Sequence, residues 1–321
     1  MARVLVTRPL TEGGTDPLLA AGHEVVMRDD GTPLSPDELA SQAAECDGVV
    51  CHLTDRIDAA VLESGRAGRL RVVANAAVGY DNIDVVSAHA MGITVCNTAG
   101  GGPGAPYATA ELALGLLIAA ARAITVADKT MRAGGFQRGV PVGQGLAGKT
   151  LGIVGLGRLG ARMARYAIAL DMNVIAWSPN LTEARAREAG ARLVTKSDLM
   201  AQSDAISMHM VLSPRSRGII GADDIARMRQ GAILINTSRG PLIDEAPLIA
   251  AVKAGKIIAA LDVYDREPLP EGHPFRVSDH TVLTPHLGYG VVETWRDFYP
   301  RSIENAEAFL DGKPVRVLNA P

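Results

Sequence analysis

Arg239, Glu267 and His286 are the residues of this 321-residue sequence whose types best suit chemistry. A guanidinium can bind a carboxylate through two parallel hydrogen bonds and polarise the carbonyl beside it. An imidazolium can donate a proton to a carbonyl oxygen while a hydride reaches the carbon. A carboxylate bonded to the far ring nitrogen fixes the imidazole tautomer and favours the charged ring. The three residue types together suit the reduction of a 2-oxo acid.

Each of the three residues follows a short apolar run that predicts a β-strand. The runs are Ala232–Asn236, Ile258–Asp262 and Thr281–Leu283. Ligands of parallel sheets bind beyond the carboxyl ends of the strands, so the three loops would share one edge. Each residue alone also fits an ordinary role, as a surface charge, a solvated acid or a packed loop histidine. Their occurrence in three such loops favours a common site.

A glycine-rich turn, Gly-Leu-Gly-Arg-Leu-Gly over Gly155–Gly160, lies upstream of these loops. It follows a short apolar strand and precedes a helix predicted over Ala161–Leu170, which is the context that a dinucleotide-binding turn requires. Gly155 permits the tight turn, Gly157 lets the backbone approach a pyrophosphate, and Gly160 lets the helix pack on the strand. The phosphates would lie at the helix N-terminus, where free N–H groups and the helix dipole favour negative charge.

The residue after the next predicted strand, Asn173–Trp177, bears on the choice of cofactor. An acidic residue about 20 positions past the glycine turn would bind the ribose 2′-hydroxyl of NAD. Ser178 occupies that place, which removes the repulsion of a 2′-phosphate. No arginine follows immediately to attract one, although Arg185 and Arg187 lie on the next helix. The sequence leaves NAD(H) and NADP(H) both open, with a slight preference for NADH or dual use.

The order of elements predicts two domains of the α/β class. Short apolar strands alternate with helices in the first hundred residues, and the alternation restarts after Lys149. The glycine- and proline-rich stretch Asn97–Pro106 is the expected boundary, and it could alter substrate access or be a tolerated loop extension. The first series of predicted strands comprises Val4–Thr7, Glu24–Met27, Gly48–His52, Val72–Ala76 and Thr94–Cys96.

Three helices carry further expectations. A long helix is predicted from about Tyr107 to Arg132, and its apolar first half suggests burial on more than one side, including against a second subunit. Another helix is predicted over Leu242–Ala254. The C-terminal helix, Glu293–Leu310, should be kinked or broken at Pro300, because proline lacks an N–H and clashes with the preceding turn.

Composition argues against several classes of partner. The net charge of −3, without a lysine- or arginine-rich block, provides no electrostatic case for binding nucleic acid or an anionic membrane. The longest apolar stretch, Leu112–Ala121, is far shorter than the ~20 residues that span a bilayer. Cys46, Cys51 and Cys96 cannot all pair, which predicts buried reduced thiols and a cytoplasmic protein. No histidine and acid cluster has metal-ligand spacing, so we predict no metal.

Four stretches resemble the D-isomer-specific 2-hydroxyacid dehydrogenases, and the resemblance spans essentially the whole chain. It implies the interconversion of a small 2-oxo acid and a D-2-hydroxy acid with NAD(P), and it assigns catalysis to Arg239, Glu267 and His286. Among subgroups, Leu53–Asp58 is most similar to the glyoxylate/hydroxypyruvate reductases. The four stretches are Val78–Asp84, Gly155–Gly160, Asn236–Gly240 and Thr284–Gly288.

The resemblance also implies binding residues. The backbone N–H groups of Val78 and Gly79 would hold the substrate carboxylate. Arg239 and His286 would also contact the substrate, and Leu53 would lie near the substrate side chain. Asp262 would contact the nicotinamide carboxamide, although capping or pairing at the strand end is an open alternative. The implied cofactor-binding residues are Gly155, Gly157, Arg158, Leu159, Gly160, Ser178, Thr237 and Asp262.

The resemblance further implies a domain division and an assembly. Residues 1–99 plus 291–321 would form a smaller flavodoxin-like substrate-binding domain, and residues 100–290 a Rossmann NAD(P)-binding domain, both doubly wound parallel sheets. The 107–132 region would form a homodimer interface.

Three related activities remain as alternatives. Formate dehydrogenases typically pair the histidine with glutamine rather than with an acid such as Glu267, and phosphite dehydrogenases carry a lysine where this chain has Val78. Some relatives act as nucleotide-sensing corepressors and can keep the catalytic set. The sequence does not identify the 2-oxo acid or the physiological direction.

Overall fold

The computed structural model describes residues 1–9, 14–28, 32–99 and 106–320. The chain divides into two compact units: unit 1 comprises Met1–Pro106 and Gly290–Pro321, and unit 2 comprises Tyr107–Tyr289. From the sequence, the boundaries are expected at 99/100 and 290/291. Most of the glycine-rich stretch, residues 100–105, lies outside the described residues.

Unit 1 contains a five-stranded parallel sheet in the order β2-β1-β3-β4-β5. This is the flavodoxin-like order of a doubly wound fold, as predicted. The strands are β1 (Arg3–Val6), β2 (Glu24–Met27), β3 (Gly48–Cys51), β4 (Val72–Asn75) and β5 (Thr94–Cys96). The helices between them are α1 (Asp16–Ala20), α2 (Pro36–Ala44), α3 (Ala59–Ala67) and α4 (Val85–Ala90).

Unit 2 contains a seven-stranded parallel sheet in the order β12-β11-β10-β9-β6-β7-β8. Counted from β6, this is the Rossmann order 3-2-1-4-5-6 with one further strand, so the predicted fold class is confirmed. The strands are β6 (Thr150–Val154), β7 (Asn173–Trp177), β8 (Arg192–Leu193), β9 (Ala205–Met208), β10 (Ala232–Asn236), β11 (Ile257–Leu261) and β12 (Thr281–Leu283). The helices are α5 (Ala108–Ala121), α6 (Ile124–Arg132), α7 (Arg158–Ala169), α8 (Glu183–Glu188), α9 (Lys196–Gln202), α10 (Ala222–Arg227) and α11 (Glu245–Lys253).

The interior strand β10 illustrates why these runs are continuously apolar. All five of its residues are buried, because helices cover both faces of the sheet. Successive side chains alternate between faces, so Leu234 packs in the core on one side while Ile233 and Ile235 pack in the core on the other.

The predicted single helix from Tyr107 to Arg132 is wrong. Helix α5 ends at Ala121, helix α6 begins at Ile124, and the two are bent by 66°. Ala123 between them has a φ of 48°, in the left-handed region that interrupts a right-handed helix. Among the described residues no single helix is long and apolar enough to cross a membrane, and only this bent pair meets that test jointly.

Two other helices differ from expectation. The predicted helix over Leu242–Ala254 is a 3₁₀ turn, Gly240–Leu242, followed by α11, because Ile243 and Asp244 are extended between them. The C-terminal helix α12 (Val292–Leu310) belongs to unit 1 and runs through Pro300, so the break anticipated there does not occur.

The three cysteines match their prediction. Cys46, Cys51 and Cys96 are buried and free of disulfides. Burial raises the pKa of the Cys46 and Cys96 thiols to about 11, which keeps them protonated near neutrality.

Candidate active site

The glycine turn after β6 has two positions where a side chain would clash and one where it would meet open space. A Cβ added at Gly155, whose φ is +98°, would lie 2.4 Å from the carbonyl oxygen of His209. One added at Gly160 would lie 2.1 Å from the carbonyl oxygen of Gly155. Beside Gly157, immediately before α7, a Cβ would meet nothing within 4 Å. The turn therefore fits a dinucleotide pyrophosphate, which needs open space against bare backbone at a helix N-terminus.

Ser178 and the first residues of α7 adjoin this turn. The backbone N–H of Leu156 donates to Ser178 Oγ at 3.2 Å, which ties the end of β7 to the glycine turn. Arg158 is exposed and Leu159 is half-buried at the start of the helix.

Asn236 organises the loop that carries Arg239. Its Nδ2 donates to the carbonyl of Arg239 at 2.8 Å, and its Oδ1 accepts from the N–H of Ser238 at 3.0 Å. Ser238 Oγ in turn donates to the carbonyl of Met208 at 2.8 Å, at the end of the neighbouring strand β9. Arg239 is half-buried, and its Nη1 donates to the carbonyl of Ser238 at 2.7 Å.

Thr237 in the same loop has an unsatisfied hydroxyl. Its side chain is 5% exposed, and its Oγ1 has no hydrogen-bond partner within the described part of the chain. A buried polar atom without a partner costs free energy, so a bound ligand that supplies one would be favoured. Thr237 therefore fits a cofactor contact.

Tyr264 connects the three loops that carry the candidate catalytic residues. A Cβ added at Gly240 would lie 2.0 Å from the carbonyl carbon of Tyr264, so the loop after β10 packs directly on the loop after β11. The N–H of Tyr264 donates to Glu267 Oε1 at 2.9 Å. Its hydroxyl donates to the carbonyl of Thr284 at 2.9 Å, in the loop after β12. The burial that raises the pKa of Tyr264 keeps this hydroxyl a donor.

Glu267 and His286 form a hydrogen-bonded pair. Glu267 Oε2 lies 2.6 Å from His286 Nδ1, and the two side chains are 31% and 13% exposed. No other described residue bonds to the opposite ring nitrogen, Nε2. His286 has a φ of 55°, in the left-handed region. The structure thus brings together an acid and an imidazole whose far nitrogen can serve a ligand.

Asp262 fixes the loop that carries His286 through hydrogen bonds. Its buried carboxylate accepts from Thr284 Oγ1 at 2.6 Å, from the N–H of Leu287 at 2.7 Å and from the N–H of Gly288 at 2.8 Å. Its carbonyl accepts from the N–H of His286 at 2.8 Å. Burial raises the pKa of Asp262, while these hydrogen bonds and His286 act in the opposite direction. The bonds observed are internal, and a contact with nicotinamide stays a prediction.

His209 lies beside the glycine turn at the end of β9. Its Nε2 is 2.9 Å from Ser207 Oγ, and its Nδ1 is buried without a described partner. Burial lowers the pKa of His209 to about 4, so the ring is neutral near pH 7.

The sequence alone indicates no role for Asn236 and Tyr264, the residues that position these loops. Asn236 carries a signal, because the end of a buried strand is an unusual place for a polar amide. Nothing local distinguishes Tyr264, whose contacts reach residues that are 20 or more positions away.

The predicted substrate-binding residues outside unit 2 lie in unit 1. Leu53 follows β3 and is half-buried, while Val78 follows β4 and is 48% exposed beside half-buried Gly79. The two loops are joined by a bridge between Ile57 and Ile83. Among the described residues, no group of three or more His, Cys, Asp or Glu side chains could hold a metal ion.

Comparison with known proteins agrees with this arrangement. Residues 114–288 match the family model described as D-isomer specific 2-hydroxyacid dehydrogenase, NAD binding domain. A glyoxylate reductase from Aeropyrum pernix is 38% identical, and the alignment covers 99% of this chain and 96% of that protein. A D-3-phosphoglycerate dehydrogenase from Archaeoglobus fulgidus is 36% identical over 99% of this chain, which spans only 59% of that protein's length.

Solved structures show the same fold. A phosphoglycerate oxidoreductase from Vibrio cholerae superposes with a TM-score of 0.86 at 27% identity, covering 97% of this chain and 100% of that one. A glyoxylate reductase from Paecilomyes thermophila superposes with a TM-score of 0.76 at 28% identity, covering 98% of each chain. With its glycine turn, its Glu267–His286 pair, the matching family model and relatives that align over 99% of its length, the chain belongs to the D-isomer specific 2-hydroxyacid dehydrogenase family of NAD-dependent oxidoreductases.

Proposed function

We propose that this protein reduces a small 2-oxo acid of the glyoxylate or hydroxypyruvate type to a D-2-hydroxy acid. The observation that carries the proposal is the 2.6 Å contact between Glu267 and His286, with the loop of Glu267 packed against the loop of Arg239. The long alignment with a glyoxylate reductase supports the substrate class, because it covers 96% of that protein.

In the proposed reaction the nicotinamide cofactor, when bound, supplies the hydride to the carbonyl carbon. Arg239 binds the substrate carboxylate and polarises the carbonyl. His286 donates a proton from Nε2 to the carbonyl oxygen, while Glu267 holds Nδ1–H and stabilises the charged ring. The backbone N–H groups of Val78 and Gly79 bind the carboxylate, and Leu53 contacts the rest of the substrate. Hydride and proton together convert the carbonyl into the hydroxyl.

We propose that Gly155, Gly157 and Gly160, with Arg158 and Leu159, form the pyrophosphate site. Thr237 and Asp262 would serve the nicotinamide half of the cofactor. Ser178 would lie at the ribose that distinguishes NAD from NADP. Because Ser178 neither repels nor attracts a 2′-phosphate, we propose use of NADH or of both cofactors.

We also propose that the protein is a cytoplasmic homodimer that contacts a second copy through the 107–132 region. Helix α6 has no buried residue of its own. Ile124 and Met131 are 47% and 54% exposed, and Phe136 just beyond the helix is 71% exposed. Such apolar surface is typical of an interface. The three buried thiols are consistent with a reducing compartment.

The test is the oxidation of NADH and of NADPH against a panel of 2-oxo acids that includes glyoxylate, hydroxypyruvate and pyruvate. The expected result is turnover of at least one small 2-oxo acid, with the D-hydroxy acid as product. Formate and phosphite are offered with the oxidised cofactors in the same assay. Turnover of either of these alone would overturn the proposed substrate class.

A further inference from the structure

Two buried asparagines hold the backbone of the loop after β4. Asn75 Nδ2 donates to the carbonyl of Gly79 at 2.7 Å, and Asn97 Nδ2 donates to the carbonyl of Val78 at 2.7 Å. Asn75 is 0% and Asn97 3% exposed, so both amides are shielded from competing water. Two successive carbonyls of an exposed loop are thus bound from the interior of unit 1.

A third carbonyl of this loop is bound in the same way. The N–H of Thr98 donates to the carbonyl of Ala77 at 3.1 Å. By contrast, the N–H groups of Val78 and Gly79 have no acceptor anywhere in the described ranges. Three consecutive carbonyls are occupied and two adjacent amides are left without acceptors. Consecutive unpaired amides form a binding site for an anion.

The asparagines are themselves held by a chain of hydrogen bonds. The carbonyl of Asn97 accepts from Asn305 Nδ2 at 2.9 Å, and Asn305 Oδ1 accepts from Arg316 Nε at 2.7 Å. Asn305 lies on α12 and is 0% exposed. The C-terminal segment therefore helps to fix Asn97, and a fully satisfied buried network of this kind rigidifies what it holds.

We infer that Asn75 and Asn97 are positioning residues for carboxylate binding, which act by fixing the carbonyls of Val78 and Gly79 so that the adjacent N–H groups remain available. The inference rests on the proposed function, in which these two amides bind the carboxylate of the 2-oxo acid. Neither asparagine needs to touch the substrate. A backbone site of this kind depends on preorganisation, because mobile amides lose affinity to the entropy of ordering.

The test replaces each donor by an acceptor of the same shape. Asn75→Asp and Asn97→Asp remove the N–H that reaches the carbonyl, and Asn319→Asp is the matched control. Asn319 lies in the same unit, and its Nδ2 donates to the carbonyl of Ile93 at 2.8 Å, away from this loop. Measured quantities are kcat and KM for the fastest 2-oxo acid, the Kd of NADH, and the Kd of oxamate with NADH present.

Asn75→Asp and Asn97→Asp should each raise KM and the oxamate Kd at least tenfold. We expect kcat at saturation within threefold and the Kd of NADH within twofold, because neither asparagine takes part in proton transfer or cofactor binding. Asn319→Asp should leave KM within twofold. Folded variants of Asn75 and Asn97 whose KM matches that of the control, or whose kcat falls at constant KM, would overturn the inference.

A second measurement uses the unaltered enzyme, in case a buried aspartate prevents folding. Oxamate with NADH should slow hydrogen exchange at the amides of Val78 and Gly79. Slower exchange at other amides, with unchanged exchange at Val78 and Gly79, would contradict the inference. Asn97→Ser, which shortens the donor without adding charge, should raise the oxamate Kd in the same direction. If the unaltered enzyme reduces no 2-oxo acid, the proposed function fails. If it is active but the variants behave like Asn319→Asp, only the positioning role fails.

Discussion

The loop after β12 in unit 2 and the loop after β4 in unit 1 are both fixed by buried polar side chains, but with opposite hydrogen-bonding roles. Asp262 accepts hydrogen bonds from the N–H groups of Leu287 and Gly288. Asn75 and Asn97 donate to carbonyls instead. The carboxylate of Asp262 binds N–H groups of the loop that carries His286, whereas the amides of Asn75 and Asn97 bind carbonyls and leave the N–H groups of Val78 and Gly79 without acceptors among the described residues.

The difference separates two kinds of expected defect. Damage to the loop of unit 2 should affect the chemical step and therefore kcat, because that loop carries His286. Damage to the loop of unit 1 should affect carboxylate affinity and therefore KM.

The largest effect is expected for His286→Ala. Loss of the proton donor should lower kcat by roughly 10²–10⁴-fold, the usual contribution of general acid catalysis. The Kd of NADH should stay within twofold, because the imidazole is proposed to serve the substrate. Steady-state kinetics and fluorescence titration measure the two quantities. Near wild-type turnover would refute the assignment.

Acidification should destabilise both units through one histidine in each. Burial lowers the pKa of His52 and of His209 to about 4, from 6.5. The folded state therefore binds fewer protons than the unfolded state below pH 6.5. The contribution of each neutral histidine to the free energy of unfolding is fully present above pH 6.5 and is lost as the pH falls toward 4. Each residue should cost about 2–3 kcal/mol at pH 4.5.

Urea unfolding at pH 7.5 and 4.5 tests this expectation. His52→Gln and His209→Gln should each lose less stability on acidification than the unaltered protein. His89→Gln, at an exposed position, is the control. Equal acid sensitivity in all four proteins would show that neither histidine is buried in its neutral form.

Asp262→Asn tests the loop after β12, which is held by the hydrogen-bond acceptor Asp262. An amide oxygen can still accept from Thr284 and Leu287, but its NH₂ would face the N–H of Gly288, so two donors would meet and the Gly288 N–H would lose its acceptor. We expect a loss of about 2 kcal/mol in stability from the mispaired group and a fall in kcat of about tenfold. The KM should stay within threefold. A rise in KM without a fall in kcat would contradict the expectation that the loop after β12 affects kcat and the loop after β4 affects KM.

The smallest effect is expected for Thr237→Val, an isosteric change that removes the unpartnered hydroxyl. Without cofactor, stability should be unchanged or rise by up to about 1 kcal/mol, because a buried unsatisfied group is lost. The Kd of NADH should rise roughly 3–10-fold, by loss of one hydrogen bond. Thermal unfolding with and without NADH measures both. Unchanged cofactor affinity would remove Thr237 from the proposed site.

Much of the fold could be predicted because short apolar runs punctuated by glycine and proline are local signals. Glu24–Met27 and Thr94–Cys96, for example, are strands with the predicted bounds. The bend between α5 and α6 could not be predicted, because alanine is the strongest helix former and nothing in the local sequence indicates the left-handed φ of Ala123. Likewise, α12 is not broken at Pro300, although the local rule predicts a kink or a break there.

The sequence by itself determined the α/β class, the dinucleotide turn and the residue types suited to 2-oxo acid reduction. These depend on composition, on glycine spacing and on which residues follow apolar strands, all readable within a few positions. Only the tertiary structure decided that Glu267 meets His286, that Tyr264 links three loops, and that Asn75 and Asn97 hold the loop after β4. Those contacts join residues from separate strand ends, and the geometry of the folded sheets brings them within hydrogen-bond distance.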